Sequence, residues 1–294
     1  MYTKCSGSAA LGAIAMAQFM IALDIAVVNV ALPSIRATLG GWASATTATT
    51  ATTLTAAVAL LLAFIWVEAR WATAPLIRLD LLRSRWVSGA DLFVFFAATA
   101  QFAAFYFVSL YMQQALGMSP AATGAAFVPF SLGVIIGTVI ATRLGTQYSP
   151  RTLLIPGALI AAVGFGWFAL ISPDGNFVAD VLGPSVITSI GFGLCLAPVA
   201  SAATIGVLIR DAGIASGLLS SARQLGGAIG LTALSTLAAG RIGTATSAAA
   251  LTSGYAFALA VAAGLLVVAA AVLPTRRRTE STIATQLPTP VAAE

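Results

Sequence analysis

The chain has 294 residues, 59% of them hydrophobic and only 8% charged, with a mean hydropathy of +0.99. Soluble domains carry about a quarter charged residues, so the composition excludes an ordinary soluble globule. The net charge of +5 does not indicate nucleic acid, because the basic residues are dispersed between apolar blocks, where they act as topology determinants. Histidine is absent, which excludes His-based metal sites, Ser-His-Asp triads and His proton relays. The two cysteines, Cys5 and Cys195, form no disulfide framework.

The apolar residues come in blocks of the length an α-helix needs to cross ~30 Å of hydrocarbon. A spanning backbone must satisfy its own hydrogen bonds, leaving helices or a closed barrel, and these blocks are too long and continuous for barrel strands. The expected fold class is therefore all-α: a polytopic membrane helical bundle of about eight spans. In chain order the blocks are 9–32, 48–67, 87–111, 121–142, 152–172, 181–206, 212–239 and 253–273. The first reads as a retained span rather than a cleaved signal, because hydrophobicity continues past Asp24 to Leu32. The second is the weakest, since residues 43–57 are rich in Thr and Ala. Pro33, Ser119-Pro120, Ser149-Pro150 and Pro274 mark block ends. Residues 68–86 place Leu76, Ile77, Leu79, Leu81 and Leu82 among arginines, the pattern of an amphipathic stretch on the inner surface. The tail from Thr275 is polar and reads as disordered.

Loop charge sets an orientation. With the N-terminus inside, eleven basic residues face the cytoplasm (Lys4, Arg70, Arg78, Arg83, Arg85, Arg143, Arg151, Arg210 and Arg276 to Arg278) and two, Arg36 and Arg241, face outward. That is a positive-inside pattern with both termini cytoplasmic and a multi-pass chain in the inner (plasma) membrane.

Several intramembrane polar residues bear on function. Asp24 lies ~21 Å into its span, slightly past the midplane. An ionised carboxylate there costs about 2.5–3.5 kcal/mol, so Asp24 is either a proton-coupling or substrate-cation site, or a carboxylate satisfied by neighbouring helices. Arg223, beside Gln224, lies ~16 Å into the seventh block; it either lines a cavity or bonds between packed helices. The third block puts Asp91, Phe95, Phe102, Tyr106, Ser109 and Gln113 on one helical face. This is a face for a hydrophobic or cationic substrate, or else an ordinary packing face. Asp91, ~7 Å from the inner end, reads as a helix N-terminal cap. The pairs Gly133/Gly137, Gly213/Gly217 and Gly226/Gly230 read as helix-packing devices, and Pro129 and Pro198 as kinks. No Walker A sequence is present, so ATP-driven transport has no motif behind it.

The stretch FMIALDIAVVNVALPSI, containing Leu23, Asp24, Val27 to Leu32, Pro33 and Ile35, resembles the first-helix motif of the major facilitator superfamily in its fourteen-helix drug:proton antiporter branch (EmrB/QacA type). AGIASGLLSSARQLGGAIG, Ala212 to Gly230, resembles the penultimate helix of that branch. WVEARWATAPLIRLDLLRSR resembles the cytoplasmic segment before its C-terminal six-helix half, and LYMQQALGMSPAATGAAFVPFSLG follows as in that half.

The resemblance implies a first transmembrane helix with the motif over 1–40 and a Thr/Ala-rich seam with a second helix over 41–69. It further implies a cytoplasmic amphipathic loop over 70–86, a six-helix transporter half over 87–273 and a disordered cytoplasmic tail over 274–294. The chain then looks internally shortened, without the loop motif between the family's second and third helices or the fifth-helix antiporter motif. Thr146 stands where the C-half loop echo expects Asp. The implied function is a secondary transporter, not an enzyme, that exports hydrophobic or cationic small molecules by multidrug-type efflux. Asp24 carries the proton, and Arg223, Gln224, Phe95, Phe102, Tyr106 and Gln113 line the substrate cavity. Its partners are the lipid bilayer, protons, the small-molecule substrate and a homodimer mate or partner chain supplying the missing half; nucleic acid, cofactor and metal are not expected. The alternative is an internally deleted, non-transporting remnant or an interaction subunit of such a transporter.

Overall fold

The computed structural model describes residues 84–205, 207, 211–245 and 247–273, together with seven positions between 55 and 66. The motif helix with Asp24 and most of the second block lie outside the described residues. Within them, six helices are long and apolar enough to span a membrane: α1 (Arg85–Gln114), α2 (Pro120–Leu144), α3 (Pro150–Phe168), α4 (Val178–Thr204), α5 (Ala212–Ile242) and α6 (Ala248–Val272). At 1.5 Å per residue they measure from about 28 to about 46 Å, enough for the hydrocarbon core with or without tilt. The all-α membrane bundle expected from composition is what forms.

Local chemistry sets the boundaries. Pro120 and Pro150 open α2 and α3, where a missing backbone N–H leaves nothing unsatisfied. The Ser119 hydroxyl accepts from the Ala122 N–H at 3.3 Å, and Ser247 does the same for Ala250 at 3.3 Å. Gly243 ends α5 at φ +62, a conformation that favours a residue without Cβ. Pro129 follows a break at Phe127 within α2, as its lost hydrogen bond requires, whereas Pro198 sits inside a continuous stretch of α4. Pro156 inside α3 is a further intrahelical proline.

One of the sequence expectations needs correction. Asp91 is the seventh residue of α1, beyond the first turn; Ser84 occupies the N-cap and the first turn has no acid. Asp91 therefore caps nothing, because the orphan N–H groups of a helix end with its first turn. Among the described residues Gly213 and Gly217 face open space: a Cβ at either meets no described atom within 4 Å.

α4 is the central element, with α2 and α3 on its two sides. Both seams close through residues that lack bulk. Gly133 and Gly137 of α2 abut Ser189, Ile190 and Gly193 of α4, while Gly157 and Gly164 of α3 abut Gly191, Cys195 and Thr188. Close backbone approach replaces the hydrophobic drive that lipid does not supply. α1 packs on α5, α6 and α4, and α6 bridges α1, α3 and α5. Aromatic rings fill the junction between α1 and α2, with Phe105 5.0 Å from Phe127 and 5.1 Å from Phe130. Leu132, Ile136 and Ile140 form an exposed apolar ridge along α2 at four-residue spacing, the face a helix turns to lipid.

Candidate functional site

α5 differs from its neighbours. It has the lowest mean hydropathy of the six spans, 1.3, and only 28% of its span window is buried in the fold. Its exposed face carries Ser216, Ser220, Gln224, Thr232 and Thr236 at four- and eight-residue intervals. Three of these hydroxyls donate back to the carbonyl four residues earlier: Ser216 to Ala212 (3.0 Å), Thr232 to Ala228 (2.8 Å) and Thr236 to Thr232 (2.9 Å). A polar stripe on an open helix face is costly against lipid and suits a water-lined cavity or another protein surface.

The inner side of α5 explains its glycines. Residues Gly226–Gly230 form one turn of π-helix, a geometry common at functional positions. A Cβ at Gly226 would strike the Phe95 backbone, one at Gly227 would lie 3.0 Å from the Phe102 ring, and one at Gly230 would strike Thr99. The Thr99 hydroxyl donates across the seam to the Gly226 carbonyl at 2.8 Å, with the Phe95 carbonyl at 3.0 Å. The ARQLGGAIG run is thus a docking edge for α1.

Just before this turn, Arg223 and Gln224 project into a cavity of about 140 Å³ bounded by α1, α2, α4 and α5. Its walls are mostly apolar, with Phe93, Phe102, Phe130 and Phe192 among the lining residues; Gln101 is the one polar side chain contributed by α1. Among the described residues no hydrogen bond or ion pair engages Arg223, and no ion pair links it to Asp91, whose enclosed Oδ1 is itself without a partner. A half-buried guanidinium among rings and amides can donate to an acceptor placed in the cavity.

The structure divides the helical face read from the α1 sequence. Phe102 joins Arg223 and Gln224 at this cavity. Phe95 instead packs edge-on to Phe96 at 5.5 Å and gives its backbone to Gly226. Tyr106 lines a second cavity of about 440 Å³, nearer the Gln114 end, with Gln114, Ser235 and Tyr255; there the Tyr255 hydroxyl donates to Gln114 Oε1 at 2.6 Å. The Gln113 amide nitrogen is enclosed without a partner, and Ser109 bonds the Tyr106 carbonyl at 2.9 Å. Gln101 and the phenylalanines of α2 and α4 were missed by sequence reasoning. A lone Gln in an apolar run was the available signal for the first; the others depend on tertiary packing alone.

Two further arrangements sit at the span ends. The Tyr111 hydroxyl donates to the Ser172 carbonyl at 2.7 Å, with Asp180 Oδ2 3.0 Å from the same oxygen, tying α1 to the α3–α4 connection. At the other end, Thr146 bonds the Arg143 carbonyl at 2.9 Å and lines a groove of about 290 Å³ with Tyr148 and Pro198. Among the described residues no group of three or more His, Cys, Asp or Glu is placed to hold a metal ion.

Residues 68–231 match the family described as Major Facilitator Superfamily. Similar curated proteins include the cephamycin export protein CmcT of Amycolatopsis lactamdurans, 40% identical over 73% of this chain and 43% of that protein. The puromycin resistance protein pur8 of Streptomyces alboniger is 33% identical over 72% and 44%. The tetracenomycin C resistance and export protein of Streptomyces glaucescens is 30% identical over 71% and 38%. The chain therefore spans less than half the length of each of these relatives.

Proposed function

Because this chain belongs to the Major Facilitator Superfamily and is a multi-pass membrane protein, we propose that it is a secondary transporter of the plasma membrane, exporting hydrophobic small molecules in exchange for protons. The observation that carries this reading is the mid-span cavity at Arg223, Gln224 and Phe102, which lies in the family-matched segment beside the polar, open face of α5. Relatives named for antibiotic export or resistance support efflux, rather than an enzymatic reaction, as the activity. The motif around Asp24 supports membership of the fourteen-helix drug:proton antiporter branch, and the distribution of basic residues supports cytoplasmic termini.

In this reading the six described helices form one wall of the pathway. The open face of α5 meets the other wall, supplied by the Asp24 span together with a second copy or a partner chain. Transporters of this architecture bind substrate between two bundles that rock about a central site. Asp24 takes up a proton from outside and releases it inside; substrate occupies the cavity between its apolar rings while Gln101, Gln224 and Arg223 orient its polar group. Exchange of proton and substrate on opposite faces completes the cycle.

The test is reconstitution of the full chain in liposomes, with flux of aromatic probes of each charge type followed under an imposed pH gradient. Flux that requires the gradient and is lost in Asp24→Asn is the expected outcome. Absence of flux for every probe, with and without the gradient, would favour a non-transporting subunit and overturn this reading.

A further inference from the structure

We infer that the Arg223 cavity selects small molecules carrying a carboxylate or similar anionic group on an aromatic or aliphatic body. The inference rests on the transporter reading above and names the ionic class of its substrate.

Arg223 is the only charged side chain among the residues that line the cavity. No carboxylate neutralises it among the described residues. A guanidinium cannot shed its proton to relieve burial and presents a planar fork that matches a carboxylate with two parallel hydrogen bonds. Gln101 and Gln224 line the same cavity with side-chain amides that can donate N–H, and Phe93, Phe102 and Phe192 provide the apolar walls. A cavity of about 140 Å³ is of the order that accepts a single aromatic ring. Amide donors and a fixed cation complement an anion joined to a ring; they repel the cationic drugs for which the aromatic face of α1 alone would be suited. A fixed positive charge among aromatic faces offsets their attraction for a second cation. The sequence expectation of a cationic substrate followed from the rings of α1; the structure adds the guanidinium of α5 to the same cavity.

The experiment is equilibrium dialysis of radiolabelled phenylacetate, phenylacetamide and benzyltrimethylammonium against the full chain in lipid nanodiscs. These share a ring and differ in charge. The expected result is at least tenfold tighter retention of phenylacetate than of either other probe. Arg223→Gln should bring the three within about twofold of one another, a loss of about fivefold in preference worth ~1 kcal/mol, and Arg223→Lys should keep part of the preference as a point charge. Tighter or equal retention of benzyltrimethylammonium, binding of none of the three, or an unchanged preference in Arg223→Gln would each overturn the inference. Should Arg223→Gln not fold, the three-probe comparison on the unmodified chain and Arg223→Lys still decide. Dialysis needs no gradient, so the two readings fail separately. Anion preference without flux removes the transporter and keeps the site; flux of benzyltrimethylammonium without anion preference does the reverse.

Discussion

The seams of α4 and the seam between α1 and α5 use the same device to different ends. On both, glycines let backbones approach. Around α4 the contact is backbone to backbone: Gly137 faces Gly193, and Gly157 faces Gly191, with backbone atoms of the opposite helix filling the space. Between α1 and α5 the glycines close only half of the seam. One turn before Gly226, the same helix places a cation, without an ion pair among the described residues, and an amide in a cavity. Where a membrane protein needs only rigidity, small residues and backbone contacts suffice. Polar groups inside a span are costly without partners, and among the described residues the α3–α4 seam holds one such group, the Thr188 hydroxyl, while α5 holds a larger one, the Arg223 guanidinium.

That contrast can be broken first at the seam between α2 and α4. Gly137→Val puts a branched side chain where a Cβ would already lie 2.9 Å from the Gly193 Cα. It should lower stability by about 3 kcal/mol, read as unfolding in mixed micelles with a denaturing detergent; a neutral result would mean the α2–α4 seam is not rigid.

At the open seam the opposite is expected. Arg223→Gln should leave the unfolding midpoint unchanged or raise it, by up to about 1 kcal/mol, because a half-buried charge without a partner is removed. Flux in liposomes should nevertheless fall at least tenfold. A large destabilisation would show that Arg223 holds the fold together instead.

Smaller effects sharpen the picture. Tyr111→Phe removes the hydroxyl that reaches Ser172 and Asp180 and should cost about 1 kcal/mol in the same unfolding assay. Gly217→Ala, with open space around the added methyl, should stabilise by about 0.8 kcal/mol through helix propensity alone. A loss there would reveal that this part of α5 is covered in the membrane.

Much of the architecture was legible in the sequence, for physical reasons. The bilayer demands long apolar runs, so four of the six described spans start within two residues of their apolar blocks; α4 begins at Val178, where the block was placed at 181, and α6 at Ala248, capped by Ser247, where the block was placed at 253. The candidate site was legible only in part. Arg223 and Gln224 stand out because charge and amide are rare inside a span. The face of α1 was less well read: periodicity groups Phe95, Phe102 and Tyr106 on one stripe, yet the close approach of Gly226 takes Phe95 into a backbone contact and leaves Phe102 at the cavity. Tyr106 is more than one turn away and serves the second cavity. Asp91 misled because block edges in apolar sequence understate helix length: α1 begins at Arg85, so a residue that looked terminal lies beyond the first turn.

The central claim is that the polar face of α5 lines an aqueous pathway while the apolar ridge of α2 faces lipid. Single cysteines at Ser220, Gln224 and Ile136, in a chain with Cys5→Ser and Cys195→Ala, test it through reaction with a membrane-impermeant maleimide, which needs hydrated thiolate. The account predicts labelling at Ser220 and Gln224, slowed by a bound substrate at Gln224, and none at Ile136. Labelling at Ile136 with protection of both α5 positions, whatever substrate is present, would contradict it.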